Sequence, residues 1–241
     1  MESLTGSPAT TTRRHRKPHP GKKLNRHVLL VAITAVVATG LQATSSAATT
    51  TVARWHMDET SGNVMWDSSG HGNDGALHKV RLGRWSPKGM AYGFNGQSSY
   101  VKVPDNASLN PRSASVSVIL HVKFGTAPSS HNDYDLFRKG RARNRGDYKV
   151  EILDTGKASC VFRGSAGAAR ISRGPSLADG SWHKIRCTKS ARSIKLVVDG
   201  RAYSKYGTVG WIANCSKVVI GAKPGADYYQ GRIDEVHVAM G

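Results

Sequence analysis

Carboxylates are scarce in this chain of 241 residues, 16 against 35 lysines and arginines, so the few that stand close together carry the question of catalysis. A glycoside hydrolase needs two acids flanking the scissile bond, one to donate a proton and one to act as base or nucleophile. The nearest run is Glu151-Ile152-Leu153-Asp154, in which Asp154 falls in a turn and the spacing does not put both acids on one strand face. Neither G-x-S-x-G nor H-E-x-x-H occurs, which argues against nucleophile-elbow hydrolases and zincins. Cys160, Cys187 and Cys215 show no C-x-x-C spacing, so zinc ligation and thioredoxin-like exchange lack their motif. What remains is binding chemistry.

Two stretches carry it. Asp227-Tyr228-Tyr229-Gln230 offers aromatic faces for a pyranose ring and planar polar groups for hydroxyls. The alternative is that one tyrosine anchors the loop to a sheet. Trp211, after Gly210, is a further candidate for exposure, whereas Trp55, Trp66, Trp85 and Trp182 are expected as core or edge packing. The second stretch is Arg138-Lys139-Gly140-Arg141-Ala142-Arg143-Asn144-Arg145, placed like a hairpin tip between two apolar segments. Arg138 and Arg141 there could grip sulfate, phosphate or uronate groups; a solvated loop is the alternative. No aromatic interleaving supports a single-stranded nucleic-acid platform.

These residues belong to a chain with a leader. Seven cations between Arg13 and Arg26 precede fourteen mostly apolar residues, Val28 to Leu41, and a small-residue stretch ending in Ser-Ser-Ala-Ala. That is the layout of a signal peptide over residues 1–47; an uncleaved anchor would want about 20 apolar residues. The domain is then 48–241, exported and extracellular or wall-associated, with no membrane span left. The leader holds seven of the 35 cations and one of the 16 acids, leaving 28 against 15. So basic a domain points to acidic partners. Outside the cytoplasm a disulfide is expected, and three thiols allow three pairings with one left over.

The domain reads as strands. In Ser115 to Phe124, Val116, Val118, Leu120, Val122 and Phe124 alternate with more polar neighbours. Ile194, Leu196 and Val198 do the same before Asp199-Gly200, a hairpin turn signal. Shorter candidates are Tyr100–Val103, Tyr148–Leu153, Ser181–Cys187 and Lys217–Gly221. No amphipathic helix of three turns follows residue 48. Many short strands predict an all-β, two-sheet antiparallel sandwich in one domain.

Five segments in order give the sandwich a family likeness. They are Trp55-His56-Met57-Asp58-Glu59-Thr60-Ser61-Gly62, Gly93-Phe94-Asn95-Gly96 with Tyr100-Val101-Lys102-Val103-Pro104, Asp179-Gly180-Ser181-Trp182-His183, Val197-Val198-Asp199-Gly200, and Gly231-Arg232-Ile233-Asp234-Glu235-Val236. Together they resemble laminin-G-like domains of the concanavalin A-like jelly-roll class. The resemblance implies a structural calcium ion clipping the chain ends, held by the carbonyls of Glu59 and Gly62 and the carboxylate of Asp234. Without a metal, Asp234 would cap a turn or pair with Arg232. It also implies a Cys160–Cys187 disulfide, with Cys215 buried or free. Glucanases of this class place E-x-D-x-x-E on one strand, and that pattern is missing here. The expected function is a non-catalytic binding or adhesion module for acidic polysaccharide or cell-surface glycan. A glycan-cleaving enzyme of the same fold and a structural envelope protein are the alternatives.

Overall fold

Alternation becomes burial. Val116, Val118, Leu120 and Val122 are buried, while Ser117, Ile119, His121 and Lys123 between them are half-exposed, so this strand lies with one face on a core. The computed structural model describes residues 48–141, 146–223 and 225–241, with Lys17 and Gly21. The expected signal peptide of residues 1–47 lies, but for those two residues, outside the described residues, and so do Arg143 and Arg145.

The strands are β1 (Thr50–Trp55), β2 (Val64–Met65), β3 (Gly75–His78), β4 (Arg81–Ser86), β5 (Gly89–Asn95), β6 (Tyr100–Val103), β7 (Val116–Lys123), β8 (Asp133–Lys139), β9 (Asp147–Leu153), β10 (Ala158–Gly164), β11 (Gly167–Ser172), β12 (Trp182–Lys189), β13 (Ser193–Val198), β14 (Arg201–Tyr206), β15 (Val218–Ile220) and β16 (Gln230–Met240). Sheet A runs β14-β13-β12-β7-β16-β5-β4 with β1 added to β16; sheet B runs β11-β10-β9-β8-β15-β6-β3-β2. Neighbours pair antiparallel throughout, as in β16 with β7 and β8 with β9. Among the described residues the helical content is one three-residue 3-10 turn, Ala107–Leu109. The two sheets enclose a core rich in valine, isoleucine and aromatic rings.

The Cys160–Cys187 disulfide forms, with 5.5 Å between the Cα atoms. Cys160 is on β10 and Cys187 on β12, so the bridge staples sheet B to sheet A through the core. Cys215 is an exposed free thiol. Asp199 and Gly200 take φ values of 47° and 85°, both left-handed, as a two-residue turn between β13 and β14 requires.

β16 organises sheet A. It pairs with β7 on one side, while on the other it pairs with β5 over Gln230–Ile233 and with β1 from Val236 onward. The handover falls at a bulge between Asp234 and His237, where Glu235 adopts φ of 49°. The opening and closing strands of the domain therefore lie side by side, with Asp234 at their junction.

Candidate functional site

The loop before β16 divides its two tyrosines. Tyr229 is fully buried: its ring packs against Phe94, Phe124 and Tyr134, and its hydroxyl reaches the carbonyls of Lys123 and Arg232 at 3.1 and 3.2 Å. This corrects the expectation of a ligand contact at Tyr229, which is the anchor that holds the loop down. Tyr228 stays half-exposed and borders a hollow of about 660 Å³ with Asp227, Asn132 and Asp133. That hollow is acidic. The carboxylates of Asp133, Asp135 and Asp227 lie within 4.8 Å of one another, answered by Lys149, Arg138 and Lys223. Burial, opposed by Lys149, pushes Asp133 up from its ordinary range. An anionic ligand has little to gain there.

Arg138 is a second correction. It is not at a hairpin tip but near the end of β8, buried, with Nε 2.6 Å from Asp135 Oδ2. Its charge is neutralised inside the sheet surface. The next residue, Lys139, is buried too, donating to Asp105 at 2.6 Å and to the Ser216 carbonyl at 2.7 Å. Arg141 is half-buried, and it and Arg138 together line a hollow of about 230 Å³ shared with Lys102 and Lys217. Glu151 is likewise occupied, by Lys149, by Arg170 at 2.8 Å and by the Ser159 hydroxyl at 3.0 Å. Asp154 accepts the His131 amide. These two acids form no facing pair.

Among the described residues, a further group of cations without ion pairs lies where no run along the chain points to it. Antiparallel register sets Arg81 opposite Gly93, Gly93 opposite Arg232, and Arg232 opposite Lys123, across β4, β5, β16 and β7. With Lys79 and Arg84, these side chains line a cleft of about 560 Å³. No carboxylate lines it, and none of the five cations forms an ion pair among the described residues. Gly93 keeps its floor open, since a Cβ there would lie 3.3 Å from Arg81 and 3.4 Å from Arg84 side-chain carbons. The amides of Asn95 and Gln230 complete the wall. Arg232 also donates to the Trp85 carbonyl at 3.2 Å, and Trp85 is 64% exposed. Trp66 is as exposed as Trp85 and departs from the expected core or edge role, whereas Trp85 stands on the edge strand β4; Trp55 is buried, its indole N–H on the Asn73 carbonyl, and Trp211 is exposed as expected, with Arg112 over its ring. Five like charges held together without counterions repel one another, and an entering anion relieves that repulsion.

At the chain-end junction, Asp234 is fully buried and accepts from the Ser86 hydroxyl, while its Oδ1 has no hydrogen-bond partner. Arg232 does not pair with it. Burial, opposed by hydrogen bonds from the Ser86 hydroxyl and the Glu235 amide, pushes its pKa up to about 6. Asp58 approaches the same junction, accepting the Met90 amide at 2.7 Å. The Glu59 carboxylate is taken by the Trp66 amide and the Tyr92 hydroxyl, and Gly62 sits in a left-handed turn. A buried carboxylate oxygen with no donor, beside a second carboxylate, fits a hard cation such as calcium. Asp58 is the residue that the expected ligand set left out, although it stands in the same Asp-Glu turn.

A jelly-roll sandwich with adjoining chain ends and open surface clefts defines a lectin-like class. Residues 95–239 match the Laminin_G_3 profile, described as concanavalin A-like lectin/glucanases superfamily, and the chain belongs to that family. A 92-residue stretch is 32% identical to neurexin like receptor 1 of Caenorhabditis elegans, covering 36% of this chain and 8% of the receptor. Among solved structures, the binding domain of Paraclostridial Mosquitocidal Protein 1 superposes with a TM-score of 0.64 at 15% identity, over 78% of this chain and 48% of that one. Domain 4 of AbnA, a GH43 extracellular arabinanase from Geobacillus stearothermophilus, solved in complex with arabinotriose, gives 0.61 at 17% identity, over 80% and 93%. The binding domain of botulinum neurotoxin DC in complex with SialylT gives 0.61 at 12% identity, over 78% and 47%. At these identities the superpositions establish the shared fold. The chain spans a small part of the curated relative and about half of the toxin chains.

Proposed function

We propose that this chain is an exported, non-catalytic binding module that recognises acidic glycans through the cleft between β4, β5, β16 and β7. The observation that carries this reading is the set of five cations, Lys79, Arg81, Arg84, Lys123 and Arg232, lining one cleft with no carboxylate partner. Arginine forks suit sulfate and uronate oxygens in pairs, and the exposed Gln230 amide suits sugar hydroxyls. The named glycan complexes of the fold support a sugar as ligand, and the leader of residues 1–47 supports export. The engaged states of Glu151 and Asp154 support binding without cleavage. Among the described residues no helix is long and apolar enough to cross a membrane. A calcium ion held by Asp234, with Asp58 and the Glu59 and Gly62 carbonyls, would tie the first turn of the domain to β16, two residues along that strand from Arg232.

Binding of the purified protein to sulfated, uronate-bearing and neutral oligosaccharides on an array tests the reading. Acidic glycans are expected to be retained and to wash off as salt rises. Arg81→Ala with Arg232→Ala is expected to weaken retention at least about tenfold, two charge-assisted contacts being removed from exposed positions. Retention of neutral sugars alone, independent of salt, overturns it.

A further inference from the structure

The cleft is one end of a longer basic feature. On sheet A, register places Lys123 opposite Trp182, His121 opposite Lys184, Ile119 opposite Arg186, and Ser117 opposite Thr188, which in turn faces Lys195. The intervening residues Val118, Leu120, Ile185, Cys187, Ile194 and Leu196 are buried in the core, so Lys184, Arg186 and Lys195 stand on the outer face. The Ser117 and Thr188 hydroxyls, 2.8 Å apart, mark that same face. Lys184, Arg186 and Lys195 are exposed, and none forms an ion pair among the described residues.

The acids nearby are buried or already engaged. Asp234 is buried under Ser86, Glu235 pairs with Arg54 and His56, and Asp179 and Asp199 pair with His183. Trp182, beside Lys123, keeps a buried indole N–H that no described group accepts. From β4 to β13 the cations cross six adjacent strands, which at the usual inter-strand spacing is about 24 Å. A single acidic sugar that fills the cleft leaves the far cations unused.

We propose that the outer face of sheet A is a track for an extended polyanionic polysaccharide, seated in the cleft at Arg81, Lys123 and Arg232 and laid across Lys184, Arg186 and Lys195. This rests on the cleft reading above and extends it, from an acidic sugar group to a sulfated or uronate-bearing polymer several residues long. A single-stranded nucleic acid would need several stacking rings along the row, and the row carries Trp182. A bilayer is flat and would not enter a recessed cleft walled by amides.

Heparin-derived tetrasaccharides and dodecasaccharides, titrated into the purified protein at fixed salt, are the probe. The wild type is expected to bind the dodecasaccharide at least about tenfold more tightly than the tetrasaccharide. Lys184→Ala, Arg186→Ala and Lys195→Ala together, all at exposed positions, are expected to remove that advantage and flatten the salt dependence, leaving tetrasaccharide affinity within about twofold. Equal affinity of the wild type for both lengths, or an unchanged length dependence in the triple variant, overturns the track while the cleft reading stands if Arg81→Ala with Arg232→Ala still weakens tetrasaccharide binding at least about tenfold. Tighter binding of duplex DNA or of phosphatidylserine vesicles than of the dodecasaccharide overturns the assignment to polysaccharide.

Discussion

Reducing the Cys160–Cys187 bridge, or replacing both residues by alanine, is expected to lower folding stability by about 3.5 kcal/mol, the loop-closure value for so long a loop. The bridge spans 27 residues of sequence, and it ties sheet B to sheet A covalently. Both cysteines are fully buried, so the alanine pair also leaves a small cavity. For a domain of this size that loss corresponds to a melting temperature lower by roughly 7–14 °C. Thermal melts with and without reductant, run beside the double alanine variant, measure it. A melt insensitive to reductant would mean that the staple carries no stability. Reduction that lowers the wild type but not the variant assigns the effect to this bridge rather than to Cys215.

Asp234→Asn is expected to stabilise the protein in chelator and to abolish its response to calcium. The folded pKa of Asp234 is raised, from an ordinary value near 3.8 to about 6. A raised carboxylate binds its proton more tightly folded than unfolded, so wild-type stability falls as pH climbs from about 4 to about 6 and the penalty is complete above that. About two pKa units amount to roughly 3 kcal/mol. The variant, having no proton to lose, should gain on the wild type across that window and keep a constant lead above it. Under the proposed calcium site the ionised carboxylate meets its counterion and the ranking reverses once the ion is near saturation: at about a thousand times the dissociation constant, calcium adds about 4.1 kcal/mol to the wild type and nothing to the variant. Denaturant titrations at pH 4, 6 and 8, with calcium or with chelator, separate the two effects. Identical calcium responses in both proteins would remove Asp234 from the metal site.

Much of the architecture was legible because its signals are local. Val116 to Val122 alternate at the strand period and bury as alternation requires. Asp199-Gly200 could make its turn because glycine and aspartate tolerate left-handed backbone. Other features misled for equally physical reasons. Arg138 looked like a loop cation, yet Asp135 on the same strand draws it into a buried pair. Tyr229 looked like a rim aromatic, and three neighbouring rings brought by β5, β7 and β8 enclose it.

By itself the sequence determined the all-β class and the family likeness, since turn residues, two-residue periodicity and ordered short motifs are written in contiguous stretches; the Cys160–Cys187 pair and the meeting of the domain's two ends were expected only through that likeness, and the packed sheets decided them. The cleft was decided only by tertiary structure. Lys79, Arg81, Arg84, Lys123 and Arg232 form no run along the chain; strand pairing between distant segments brings them to one surface. Whether a cation is solvated, neutralised or left unpaired depends on which carboxylates the fold delivers to it, and that is a property of the packed sheets rather than of the residue.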